Sequence, residues 1–170
     1  MSSARLTDTS FAVLGLLEAA GDEATPYDLK QVAKLSIFNF WSVPHTQIYM
    51  ECERMAEAGL LSERRETGGR RRRFYKLTAS GRKELDRWRD EPTEELYELR
   101  DIGALKLFFG SEPGPLAVAQ LRAHKRKLVE LEEMVKSGEI PDGMRLAAEW
   151  GVSAERTAIR FWTRLLPESD

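Results

Sequence analysis

Residues 39–81 read NFWSVPHTQIYMECERMAEAGLLSERRETGGRRRRFYKLTASG, and the folding of this stretch decides the architecture of the chain. Val43 precedes a proline and is pushed out of helical geometry, so a helix begins at Pro44 and runs to Gly59. On a 3.6-residue wheel Ile48, Cys52, Met55 and Ala56 form one inward stripe. Thr46 and Met50 then face outward, with Gln47 and Tyr49 on the flanks and His45 beside the N-terminus. Residues 60–66 and 71–77 alternate in polarity around Thr67-Gly68-Gly69-Arg70, whose glycines supply the positive φ angles of a tight hairpin turn. Arg73, Tyr75 and Leu77 share one face of that hairpin, and Arg72, Phe74 and Lys76 the other. Thr78 caps the next helix, whose only large apolar residues are Leu85 and Trp88.

A helix, a charged hairpin and a second helix, in that order, make a winged helix-turn-helix. The first helix lies in a DNA groove while the hairpin reaches neighbouring phosphates. The net charge of −2 does not oppose this, because the basic residues cluster. Between Arg64 and Lys76 there are seven cations against Glu66 alone, and charges beyond about 8–10 Å are screened at physiological salt. The outer face of the helix is nearly free of positive charge, which suits base readout: Gln47 fits adenine, and Thr46 or Met50 a thymine methyl. Glu53 and Glu57 lie further along and are expected to be held away from a duplex. For this helix alone an ordinary solvent-exposed face is the simpler account. The run Arg70, Arg71, Arg72, Arg73 on an exposed turn raises nucleic acid above that default.

Upstream, Thr7 caps a helix that carries Phe11, Val13, Leu14 and Leu17, and Gly21 closes it. Thr25-Pro26-Tyr27-Asp28 is a capping box with proline at the first helical position, opening a helix over residues 26–35. Tyr27 sits in its first turn, where free amides favour a phosphate, and Lys30 follows one turn later. A tyrosine edge packed on the core is the alternative for Tyr27. Residues 36–43 hold Phe38, Phe40 and Trp41 and read as a packed connection.

The segments IYMECERMAEAGLL, RRFYKLTASGRKEL and RDIGALKLFFG together resemble the PadR family of bacterial transcriptional regulators. The resemblance rests on Tyr49, the Gly59-Leu60 step, Tyr75-Lys76-Leu77-Thr78 and Gly81. It spans nearly the whole chain and is strongest through Phe109. Cys52 and Met55 stand where leucine is usual, and Pro26 where glycine commonly precedes the tyrosine. The resemblance implies a homodimer that represses from an inverted-repeat operator on double-stranded DNA, often released by a small aromatic or amphipathic effector. The expected fold class is mainly α with a small β-hairpin wing. Residues 1–91 would form the winged helix-turn-helix and 92–170 an α-helical dimerisation and effector-sensing module.

In that second module Thr93 is expected to cap a helix through Leu96, Leu99, Ile102, Leu105 and Phe109, stopped by Gly110. Pro113-Gly114-Pro115 breaks the chain before a long helix in which Leu121, His124, Leu128, Leu131 and Val135 form a coiled-coil seam. A last helix carries Leu146, Trp150, Ala154, Ala158, Phe161, Trp162 and Leu165. This apolar excess calls for a partner subunit. At a seam position His124 reads as a polar contact across the dimer. With an ordinary pKa near about 6.5, it is alternatively a pH-sensitive or ligand-contacting group. Trp88, Phe108, Phe109, His124, Trp150 and Trp162 are the candidate effector-binding residues, although ordinary packing explains the aromatic ones equally well.

Enzymatic chemistry finds no constellation. The two histidines, His45 and His124, are far apart in sequence, and neither pairs with Cys52 in a triad. Four metal ligands are lacking, and neither a phosphate-binding nor a dinucleotide-binding glycine loop is present, so no cofactor or metal is expected. No run reaches the ~18 apolar residues of a membrane span, and a lone cysteine suits a reducing compartment, so the cytoplasm is expected. The reading that competes with DNA binding is a winged-helix protein-interaction module whose wing arginines meet an acidic partner.

Overall fold

The computed structural model describes residues 5–21, 23–68, 71–138 and 140–167. The chain divides into two compact units, Met1–Glu95 and Leu96–Asp170. The first holds α1 (Asp8–Ala19), β1 (Glu23–Ala24), α2 (Pro26–Leu35), a 3₁₀ turn (Ile37–Asn39), α3 (His45–Glu57), β2 (Leu61–Arg65), β3 (Arg73–Leu77) and α4 (Ala79–Asp90). The second holds α5 (Ile102–Phe108), α6 (Pro113–Ser137) and α7 (Asp142–Thr163). This is the expected mainly helical fold with a small wing.

The helix starts follow from their side chains. Thr7 and Ser10 cap each other at α1, and Thr25 and Asp28 do the same at α2, the Asp28 amide lying 3.2 Å from the threonine hydroxyl. Ser10 is also the point where α1 meets α3, because Arg54 donates to its hydroxyl at 2.8 Å and to Glu51 at 2.6 Å. Around this, Leu14 and Leu17 of α1, Leu29 of α2, Ile48, Cys52 and Met55 of α3, Tyr75 of β3 and Leu85 of α4 form the buried core. Each fully buried large aliphatic side chain contributes about 1.5–3 kcal/mol, so the inward stripe on α3 is what fixes its rotation.

The end of α3 and the base of the wing are a single construction. Gly59 takes φ 76°, its amide donating to the Ala56 carbonyl and the Leu60 amide to that of Met55. These paired bonds are the left-handed helix termination that glycine favours. The Leu60 carbonyl then accepts from the Thr78 amide at 3.1 Å and faces the Thr78 hydroxyl at 2.9 Å. Thr78 in turn caps α4 by accepting from the Gly81 amide. A Cβ on Gly81 would lie 2.2 Å from the Leu60 oxygen, so only glycine fits.

The wing is wider than a hairpin. β2 and β3 pair antiparallel with Leu61 opposite Leu77 and Arg65 opposite Arg73, and β1 adds to the far edge of β3, giving the order β1-β3-β2. A strand of two residues leaves no periodicity to read, so it was legible only as the connection before Thr25. The connection after α2 also departs from expectation. Ile37 and Phe38 pack on the core and Val43 is buried, but Phe40 and Trp41 are exposed, since the 3₁₀ turn directs only its first side chains inward.

In the second unit the expected helix from Thr93 is confined to α5. The Asp101 carboxylate accepts from the Gly103 and Ala104 amides and starts the helix there, while Leu96 and Leu99 upstream are exposed. Without packing a short helix is marginal, so the segment before Asp101 stays extended or irregular. Pro113-Gly114-Pro115 does not break the chain; it forms the first turn of α6, where proline lacks no needed amide. The α6 seam packs on α7 of the same chain. Trp162 packs with Ala117 and Leu121, His124 bonds Glu155, and Arg156 bonds Glu132, an antiparallel succession. On α7 the buried side chains are Ala148, Val152 and Trp162, leaving Leu146, Trp150 and Phe161 exposed. His124 makes a polar contact within the chain, to Glu155 at 2.6 Å through Nδ1, besides the cross-dimer contact its seam position suggests.

Replacing Gly81 with alanine is expected to force the helix cap away from the Leu60 carbonyl and to destabilise the first unit by about 1–3 kcal/mol. Denaturant unfolding measures it; an unchanged midpoint would mean that this close approach is not a constraint.

Candidate nucleic-acid interface

Burial of Ile48, Cys52 and Met55 turns the opposite side of α3 to solvent. Thr46, Gln47 and Met50 are exposed, Met50 at 65% of its surface, and Tyr49 is partly so. His45 is half-buried and meets the Tyr49 ring edge-on at 4.8 Å, which holds the first turn of the helix to the second. Tyr27 on α2 is 59% exposed, so its ring is not a core filler, and Lys30 is half-buried one turn on.

The wing arginines fall into two sets. Arg64 crosses the sheet with its guanidinium 4.3 Å above the Phe74 ring and donates twice to Glu23 of β1, each bond 3.0 Å. That contact holds the Glu23 carboxyl below the usual carboxylate range. Arg65 pairs with Glu63, and Arg73 pairs with Glu53 of α3 and lies 4.0 Å from Glu63. The Arg65 guanidinium, supported by Arg73, likewise holds the Glu63 carboxyl below its usual value. Arg71 and Arg72 are exposed and form no ion pair among the described residues. Arg71 adopts φ 47°, a left-handed geometry uncommon for a residue other than glycine. Arg70, the remaining wing cation expected to meet DNA, lies outside the described residues, as does Gly69.

Of the carboxylates at this site, sequence reasoning passed over Glu23 and Glu63, and it expected Glu53 only to stay away from a duplex, not to pair with Arg73. Glu63 lies just outside the counted run, and strand alternation alone places it beside Arg65. Glu23 and Glu53 approach the wing only through β1 pairing and helix packing, which leave no local signal.

The candidate effector residues occupy separate surroundings. Trp88 belongs to the first unit and stacks on Phe11 at 5.0 Å, 9° from parallel. Trp162 is core. Phe108 and Phe109 are exposed and meet edge to face, Trp150 meets Tyr97 at 5.7 Å, and His124 is taken up by Glu155. No helix among the described residues is long and apolar enough to cross a membrane.

A family model for the "Transcriptional regulator PadR-like family" matches residues 13–87. The negative transcriptional regulator PadR of Bacillus subtilis (strain 168) is 33% identical over 131 residues, covering 72% of this chain and 70% of that protein. The chain belongs to the PadR-like family of transcriptional regulators. A crystal structure of Bacillus subtilis PadR in complex with operator DNA matches with a TM-score of 0.79 at 27% identity, covering 94% of this chain and 97% of that one. Another, with p-coumaric acid, gives 0.72 at 25% identity, covering 95% and 96%. In this PadR-like chain the family match runs from the core of α1 into the last turn of α4, and so takes in α3 and the whole wing. The root of the wing explains two of the motifs physically: Gly59-Leu60 ends one helix, and Thr78 with Gly81 starts the next on the same carbonyl.

Burial, with Glu51 and Glu53 adding, pushes the Cys52 thiol up to about 12. At pH 8 the folded protein is therefore expected to react with a maleimide at least about a hundredfold more slowly than a free thiol, and at the free rate once denatured. Fast native labelling would show α3 rotated from the orientation described.

Proposed function

We propose that this PadR-like chain is a homodimeric repressor that sits on an inverted-repeat operator. Two copies of α3 enter successive major grooves about one helical turn, ~34 Å, apart. Thr46, Gln47, Tyr49 and Met50 meet base edges there, and His45 steadies Tyr49. Tyr27 and Lys30 on α2 set register on the backbone, and the turn arginines, Arg70 to Arg72, hold flanking phosphates. The observation that carries this reading is an uncharged, hydrogen-bonding α3 face on the same unit as cations that no carboxylate of the described chain neutralises. Family membership favours DNA over an acidic protein partner.

Residues 92–170 are assigned to dimerisation and sensing. Leu96, Leu99, Ile102, Leu105, Phe108 and Phe109 are all at least half exposed, an apolar series that a second subunit would cover. The likeness to a PadR crystallised with p-coumaric acid supports a small aromatic acid as effector, with Phe108, Phe109, Trp150 and His124 the accessible candidates on this unit. Such a ligand releases the operator only to the extent that it prefers one arrangement of the two subunits.

Footprinting on the DNA upstream of the protein's own coding region is expected to give two protected half-sites one turn apart. In a salt titration on duplex DNA, the double variant Arg71→Ala, Arg72→Ala should reduce the log–log slope by about 0.9 for each arginine. An unchanged slope would remove the wing from the interface. Adding p-coumaric acid is expected to weaken operator binding; unchanged affinity for it and related aromatic acids would remove the effector.

A further inference from the structure

The arginines of the wing are not equivalent, and Arg73 is surrounded by acid. Its guanidinium bonds Glu53, lies 4.0 Å from Glu63, and opens onto a cleft of about 630 Å³ between α3 and β2 whose lining includes Glu57 and Arg65. A phosphate arriving here would have to displace Glu53 and stand beside two further carboxylates, a position that a polyanion avoids. Arg65 stands opposite Arg73 in the strand register, an arrangement of like charges that is unfavourable by itself. Glu63 bridges the two arginines and Glu53 adds to Arg73, so the four side chains form one network.

We infer that Arg73 is a positioning residue rather than a phosphate contact. Its pair with Glu53 sets the angle of the wing to α3, and phosphate binding is left to the cations of the turn. An isolated exposed ion pair has little effect, but this one joins elements 20 residues apart and belongs to a network, which is where such pairs hold geometry. The wing is also held at its root, by Leu60 and Thr78, and along β3 by β1, but among the described ion pairs Arg73–Glu53 is the one that ties it to α3. Glu53 thereby gains a purpose: it lies on the recognition helix without opposing DNA, because its charge is spent on Arg73.

The inference rests on the DNA-binding reading, and a fluorescence-anisotropy salt titration of the full chain on a labelled random-sequence duplex separates the two. Arg73→Ala should weaken binding roughly twofold to fivefold, the range of an exposed pair, with the salt slope unchanged. Arg72→Ala should lower the slope by about 0.9 per subunit, about 1.8 for the dimer. Glu53→Gln should bind more weakly than Glu57→Gln, which makes the same charge change on the same helix face without touching Arg73. The double variant Arg73→Ala, Glu53→Gln should be no weaker than Arg73→Ala alone, and Arg73→Lys, which keeps the pair, should return affinity close to wild type. A slope reduced by about 0.9 per subunit in Arg73→Ala, or a Glu53→Gln variant that binds more tightly and with a steeper slope than Glu57→Gln, would overturn the inference. Wild-type protein with no salt-dependent binding would instead overturn the functional reading, and this inference with it.

Discussion

One backbone carbonyl, that of Leu60, holds the first unit in its form. It takes the Thr78 amide, faces the Thr78 hydroxyl, and sits where any Gly81 side chain would be. The hydroxyl that reaches it also caps α4, so the exit of α3, the root of the wing and the entry of α4 are one hydrogen-bonded knot. Buried backbone groups must find partners, and satisfying them here leaves the hairpin only one direction in which to project. The rotation of α3, set by Ile48, Cys52 and Met55, then determines which side chains lie beside that projection.

Charge in this chain is arranged by pairing rather than by total. Arg64 with Glu23 joins two edges of the sheet, Arg73 with Glu53 joins sheet to helix, Arg65 with Glu63 pairs along β2, and Arg82 and Arg89 of α4 both reach Glu18 of α1. Glu18, Glu23, Glu53 and Glu63 thus serve as internal counterions of the first unit. A local surplus of positive charge survives at the turn although the whole chain has none.

What was legible in the sequence was whatever local chemistry dictates. The threonine caps at Thr7, Thr25 and Thr78, the glycine stop at Gly59, and the inward stripe of α3 each follow from a few neighbouring residues, and each is present. What escaped depends on distant segments. β1 exists only because β3 offers it an edge, and Glu53 finds Arg73 only once the helix has packed. The α6 periodicity was visible, but the identity of its partner was not: a seam of Leu121, His124 and Leu131 is equally satisfied by a second subunit or by α7, and α7 is what the chain supplies. Thr93 could cap a helix, but Leu96 and Leu99 beyond it are exposed, whereas Asp101 has two amides to hold.

The two-residue strand β1 has a mechanical consequence. Ala24 is laddered to Tyr75 in the middle of the wing, and the next residue, Thr25, caps α2, so no slack separates sheet from helix. Arg64 reinforces the same joint by clasping Glu23 from the opposite edge. A pull on the wing is therefore delivered straight to the first turn of α2, where Tyr27 stands. The hairpin behaves less as a loose flap than as a lever with its short arm bolted to the neighbouring helix.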